Sequence, residues 1–238
     1  LTEHEGQFDF AITLDVIGDP EGTWANHHEL EAKLGRQVVP VVHFGTPVEW
    51  AQRYADEGHT LIALGGIALG RRTLQSRRYR WMHSFFAWGR DHGVVFHGLG
   101  IGAFQPIRDW PWFSVDTSNT TSLANRYGRT YIFDPGEGRI IVTQALVRNS
   151  LKPRTAMLLR RLGVDPVVLS TERYSSDWAK AITTDTYRRL EPWVRARRSP
   201  VTWNELDGLR IYLCAGVSGL PTFMIGHISE EEQWTPAV

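Results

Sequence analysis

Short apolar runs, each closed by a glycine or a polar residue, recur along the first half of the chain at intervals suited to a strand followed by a helix. Phe8 to Leu14 reads as a strand ending at Asp15. Val16-Ile17-Gly18-Asp19-Pro20 then turns the chain, and Thr23-Trp24-Ala25-Asn26 opens a helix through Leu34, with Gly35 as its stop. Val38-Val39-Pro40-Val41-Val42 is a second buried strand that delivers His43-Phe44-Gly45. Thr46-Pro47 suits the start of the helix that follows, through Trp50 and Tyr54 to Gly58. Leu61 to Leu64 is a third strand, closed by Gly65-Gly66. From about Thr73 to Asp91 a helix places Leu74, Trp81, Phe85 and Trp88 on one face. Val94-Val95-Phe96 is a fourth strand, leading into His97-Gly98-Leu99-Gly100-Ile101-Gly102. Phe104 to Trp110 has room for about two helical turns before Trp112-Phe113-Ser114-Val115-Asp116, a fifth strand.

Strand and helix thus alternate five times in about 110 residues, the repeat of (β/α) units. The strands end in Asp15, His43, Gly65-Gly66, His97-Gly98 and Asp116, and in parallel α/β sheets ligands sit beyond such ends. The expected fold class is α/β: a partial (β/α)8 TIM-type barrel of about five C-terminal βα units. After Asp116 the pattern changes. Thr117 to Ser122 is polar, and Arg129 to Phe133 with Arg139 to Val147 forms a hairpin about Asp134-Pro135-Gly136. From Lys152 onward the pattern is helical: Thr155 to Leu162, Thr171 to Arg197 and Trp203 to Ala215. The expected division is residues 1–135 as the partial barrel and 136–238 as a hairpin plus a mainly helical extension.

The chain has 238 residues, 42% hydrophobic and 22% charged, an ordinary balance for a globular protein, with zero formal net charge. Overall charge therefore points to no nucleic-acid partner, although Arg71, Arg72, Arg77, Arg78 and Arg80 crowd together. The single cysteine, Cys214, excludes an internal disulfide and a multi-cysteine zinc cage. No apolar run approaches the roughly 18–20 residues of a membrane span, and the first residues lack signal-peptide character. The expectation is a cytoplasmic protein with no membrane partner and no cofactor.

Asp116 is the leading candidate for a reacting group, with Asp15 as its companion carboxylate on the same rim; Asp15 could equally serve as a turn residue before Asp19-Pro20. His43 is either a hydrogen-bonding ligand group or a polar strand end. The run after His97 is G-x-G-x-G, not the full dinucleotide fingerprint. His4, His27, His28, His59, His83 and His92 show no metal-ligand spacing and read as mostly solvated, so no metal site is expected. Arg71 and Arg72 suit phosphate contacts or a solvated helix face, and Arg126 and Arg129 about Gly128 form a second candidate phosphate pair.

The ordered motifs Asp15 after a strand, Val-Val-His43-Phe-Gly45, Ala-Leu-Gly65-Gly66-Ile67-Ala68, His97-Gly-Leu-Gly-Ile-Gly102 and Phe-Ser-Val-Asp116 resemble the C-terminal five βα units of tRNA-guanine transglycosylases. They are closest to phage-encoded relatives that insert deazaguanine bases into DNA. The resemblance spans residues 8–130. It implies base exchange: Asp116 attacks C1′ of a target guanosine, guanine leaves, and a 7-deazaguanine displaces the carboxylate. Asp15 would read the base, with His43 standing where tRNA enzymes carry glutamine. Gly65, Gly66, Ile67, Ala68, His97 and Gly98 would complete the base site, and Arg126-Tyr127-Gly128-Arg129 resembles the family's R-x-G-R.

Two features depart from the family. The glycine-rich segment with a further aspartate, expected upstream of Asp15 with the first three barrel strands, is not in this sequence, and neither is the three-cysteine, one-histidine zinc site. The implied reading is a truncated or split member acting on DNA or tRNA in a host cytoplasm, completed by a partner chain that supplies the other barrel half. The alternatives are a non-catalytic nucleic-acid-binding remnant and an unrelated barrel glycosidase using Asp15 and Asp116.

Overall fold

A computed structural model describes residues 9–67, 75–118, 128–144, 151–170 and 173–213. The chain forms two compact units, Leu1–Asp116 with Val194–Tyr212, and Thr117–Trp193 with Leu213–Val238.

In the first unit, helix α1 (Pro20–Leu34) precedes strand β1 (Val41–His43), α2 (Glu49–Asp56), β2 (Leu61–Gly65), α3 (Gln75–His92), β3 (Val95–Gly98), α4 (Phe104–Asp109) and β4 (Ser114–Thr117). Strands β1 to β4 pair in sequence order, each parallel to the next. Helix α1 starts three residues before the expected Thr23, because Asp19 caps it: its carboxylate accepts from Gly22 N–H at 2.9 Å, and Pro20 takes the first position, where it needs no donor. The expected first strand shrinks to one bridge, Ile12 with Val39, flanked by Thr13 N–H to Val39 C=O and Val39 N–H to Ala11 C=O.

The register assigns the faces. Val41 pairs with Ala63, Ala63 with His97 and His97 with Ser114, so these side chains share one face. Alternation adds His43, Gly65 and Asp116 to that face, each two residues further toward the strands' C-terminal ends. Below them the same face buries Val39, Val41, Leu61 and Ala63, in one cluster with Phe113, which precedes β4, and with Phe10, Ile12, Val201, Trp203 and Leu206. The opposite face carries Phe96, whose ring meets Phe85 and Phe86 of α3 at centroid distances of 6.2 and 5.2 Å. The apolar layer thus ends where the polar rim begins.

The stretch from Trp203 onward corrects the expected helix. It forms β7 (Thr202–Trp203), β8 (Leu206–Asp207) and β9 (Arg210–Leu213), and β9 joins the sheet beside β4. Asn204 and Glu205, between β7 and β8, both take left-handed backbone, the requirement of a two-residue hairpin turn. Gly208 then passes so close to Phe113 that an added Cβ would stand 3.0 Å from its carbonyl oxygen. Burial against the sheet overrides a local helical tendency here.

In the second unit, β5 (Arg129–Asp134) and β6 (Arg139–Gln144) form the expected antiparallel hairpin. Helix α5 (Pro153–Arg161), a short 3₁₀ turn (Pro166–Leu169) and α6 (Ser176–Arg195) follow. Ile132 of β5 buries among Leu158, Leu159, Leu169, Ala179 and Ile182, which is why the hairpin belongs with the helices and the division falls at residue 117 rather than at 135. Thr183 and Thr186 of α6 complete the β5 edge, accepting from Tyr131 N–H at 3.2 Å and Phe133 N–H at 2.9 Å. Among the described residues, no helix is long and apolar enough to cross a membrane.

Candidate active site

The C-terminal rim of β1–β4 gathers Asp15, His43, Gly65, Gly66 and Asp116 on elements of one unit. Nε2–H of His43 donates to the Asp15 carboxylate, joining the loop before α1 to the end of β1. The face of the imidazole lies over the glycine pair. A Cβ built on Gly65 would stand 3.0 Å from Nε2 and 3.2 Å from Cε1, and one built on Gly66 would stand 2.9 Å from Nδ1. Only residues without side chains fit beneath this ring, and Gly66 also needs its φ of 72°. A flat ring seated on two glycines, with one edge held by a carboxylate, is thus already present in the chain itself.

Asp116 stands at the end of β4, half-buried, and its Oδ1 accepts from the backbone N–H of Gly100. The turn after β3 reaches that carboxylate because Gly100 takes φ 70°. Burial pushes the Asp116 carboxyl above the usual carboxylate range, and the Gly100 N–H works against that rise. A partly desolvated carboxylate, oriented by backbone donors at the end of a parallel strand, is equipped for nucleophilic attack or proton transfer.

His97 lies one layer deeper. It is 1% exposed, shares a 2.8 Å hydrogen bond between Nδ1 and Ser114 Oγ, and packs edge-on against Phe10. Its Nε2 has no hydrogen-bond partner, and burial lowers its pKa to about 4, so the ring is neutral at pH 7. Gly98 points to the other face, where a Cβ would stand 2.8 Å from Ile101 Cγ1 and 3.1 Å from the Trp112 ring; it serves packing of the helical layer. Ile67 is buried beside the rim. Arg129 opens β5 in the second unit and is exposed. Ala68, Arg71, Arg72 and Arg126 lie outside the described residues.

A cavity of about 660 Å³ lies at the opposite ends of the strands, bounded by Val94, Val95, Phe86 and Trp110, and includes none of the rim residues.

His27 and His59, expected to be solvated, are buried at 0% and 5% exposure. Their Nε2 atoms share a 3.1 Å hydrogen bond, while Nδ1 of His27 shares another with Thr13 Oγ1 at 2.8 Å. Together with Glu31 and Glu57 they form a cluster that the sequence reading did not single out. The usable signal was the i,i+4 spacing of His27 and Glu31 within one helix, followed by Glu57-x-His59 at a turn.

No family model matches the chain, and no curated protein or solved structure matches it either.

Proposed function

We propose that the first unit is a guanine-transglycosylase-like domain that exchanges a base in nucleic acid through Asp116. The observation that supports this most is the placement of the half-buried Asp116 carboxylate on the same sheet face and the same rim as the Asp15–His43 pair over Gly65-Gly66. In this reading an oxygen of ionised Asp116 attacks C1′ of the target guanosine as the C1′–N9 bond breaks, and guanine departs with the bonding pair and takes up a proton. A 7-deazaguanine then loses its N9 proton, attacks C1′ and releases the carboxylate. Gly100 N–H holds the carboxylate in position in both steps, and Asp15 with His43 reads the polar edge of the base.

The partial-barrel reading has the support of four parallel strands in sequence order, with β9 as a fifth member from the same chain. Closure to eight strands takes strands beyond the five of this sheet. The substrate is DNA or tRNA, and no cofactor enters the reaction.

The decisive experiment mixes the purified chain with radiolabelled guanine and either duplex DNA or tRNA, and compares it with Asp116→Ala. Incorporation of label that disappears in Asp116→Ala is the expected result, and the polymer that takes up label identifies the substrate. Salt-sensitive binding of polymer without incorporation would overturn catalysis by this chain alone and leave either a binding remnant or a domain that works only with the rest of its barrel.

A further inference from the structure

The geometry points to a divalent metal site of the zinc class at His27, His59, Glu31 and Glu57, on the first unit and apart from the catalytic rim. We infer that it is structural, tying α1 to the turn before β2.

The argument starts from the helix. His27 and Glu31 stand one turn apart on α1 and project from the same side. Opposite them, the α2–β2 turn brings His59 and Glu57, two residues apart. His27, Glu57 and His59 present ligand atoms that all lie within 4.8 Å of one another. Glu31 Oε1 lies 3.5 Å from His27 Nε2 and 3.7 Å from His59 Nε2, and the two Nε2 atoms are 3.1 Å apart.

Those three distances decide the matter. Ligands bound to zinc at about 2.0–2.1 Å in a tetrahedron are separated by about 3.3 Å. A triangle with sides of 3.1, 3.5 and 3.7 Å has a circumradius of about 2.0 Å, so one point sits at a zinc-bond distance from all three atoms. Glu57 offers a further carboxylate oxygen within 4.8 Å of the ligand atoms of both imidazoles, and a mixed nitrogen and oxygen donor set suits zinc better than calcium or magnesium.

The surroundings fit as well. Thr13 engages Nδ1 of His27 and so leaves Nε2 as the ligand atom. His28 Nε2–H donates to Glu57 at 3.1 Å and orients that carboxylate, while Val38 N–H donates to Glu31 at 2.8 Å. The Tyr54 hydroxyl, buried without a hydrogen-bond partner, adjoins the same cluster, with its ring edge-on to His27 at 5.0 Å.

The test uses the untagged full-length chain, stripped with a chelator, and ZnCl₂ or CoCl₂ alone as the probe. Calorimetry at pH 7 should show one equivalent of zinc bound, with a rise in Tm, and cobalt should give the intense visible absorption of a tetrahedral centre. His59→Gln should weaken zinc binding by at least about 100-fold, and the outer Thr13→Val by about 10-fold. Glu57 is partly exposed, so Glu57→Gln retains the fold; it should weaken binding and alter the cobalt spectrum. His92→Gln, at an exposed position ending α3 and outside the cluster, should bind zinc like the parent chain. Absence of zinc binding by the folded chain would overturn the assignment, and so would one-equivalent binding that survives both His59→Gln and Glu57→Gln.

Discussion

The imidazole of His43 lies across Gly65, with an added Cβ on that glycine placed within 3.0–3.3 Å of Nε2, Cε1 and Cδ2. The ring cannot simply swing away, because its Nε2–H is held by Asp15. Gly65→Ala should therefore displace the ring, part the Asp15–His43 pair and destabilise the chain by about 1–3 kcal/mol, the usual cost of overpacking. Adding His43→Ala removes the obstruction, so the double variant should be more stable than the sum of the two single losses. Urea midpoints for the four proteins measure this coupling. Additive losses would show that the contact between ring and glycine carries no energy.

Asp116 gives a prediction with a definite sign. Its carboxyl is raised by burial, so the folded chain holds this proton more readily than the unfolded chain. Above the ordinary carboxylate range the folded state bears the cost of an ionised, partly desolvated group, and that cost fades as pH falls and the carboxyl is protonated in both states. Asp116→Asn keeps an oxygen to accept from Gly100 N–H and removes the charge. Its Tm should exceed that of the parent at pH 7 and converge with it near pH 4, and the proposed base exchange should be lost. A lower Tm at pH 7 would mean that the charge is stabilising in place.

Much of the first unit was legible because each strand from β1 to β4 is a short apolar run closed by a glycine or polar residue, and each intervening helix has its own start and stop. The rim followed from that order: Asp15, His43, Gly65 and Asp116 close four of the five apolar segments, with His97-Gly98 closing the other. Two things were hidden. The Trp203–Leu213 segment carries residues that tolerate a helix, and its strand conformation depends on Asn204 and Glu205 turning left-handed and on packing against Phe113, a contact far away in sequence. Burial of His27 and His59 was equally silent, since each looks like an isolated polar residue until α1 and the α2–β2 turn are brought together. Gly98 misled for a related reason: its neighbour His97 belongs to the rim face, and alternation sends Gly98 to the other one.

Acid should destabilise the metal-free chain in a defined window. His27 and His97 are neutral when folded, each with its pKa lowered to about 4, whereas both take up protons near 6.5 when unfolded. Between those values the unfolded chain binds more protons, so stability falls as pH drops, by roughly 3 kcal/mol for each ring at pH 4. His28, raised by the Trp24 carbonyl, works in the opposite direction, but its side chain is 42% exposed and contributes less. Unfolding free energies in chelator from pH 7 to pH 4 should show this decline, and His97→Asn should make it shallower. A flat profile would place a proton on one of these buried rings in the folded state.

Arg198 holds the chain that follows α4. Its guanidinium donates to the carbonyl oxygens of Trp110 and, at 2.9 Å, of Trp112, with a longer contact of 3.4 Å to Ile107. One planar fork thus serves three main-chain acceptors, and burial lowers its pKa to about 10, still well above neutrality. A lysine ammonium reaches one such oxygen but cannot spread its donors across all three in a plane. Arg198→Lys should therefore cost about 1–3 kcal/mol, the penalty for leaving a buried acceptor short of its donor; the Trp110 carbonyl still accepts from Trp112 N–H. Arg198→Met, which keeps the apolar stem and removes every donor, should cost more. Because Trp112 packs directly beneath Gly98, and Asp116 follows it by four residues, loosening this clamp should also slow the proposed base exchange before the unit unfolds. Urea denaturation of both variants, with exchange assayed well below the midpoint, separates these effects. Equal stability of Arg198→Lys and the parent would show that a single point charge is all this turn requires.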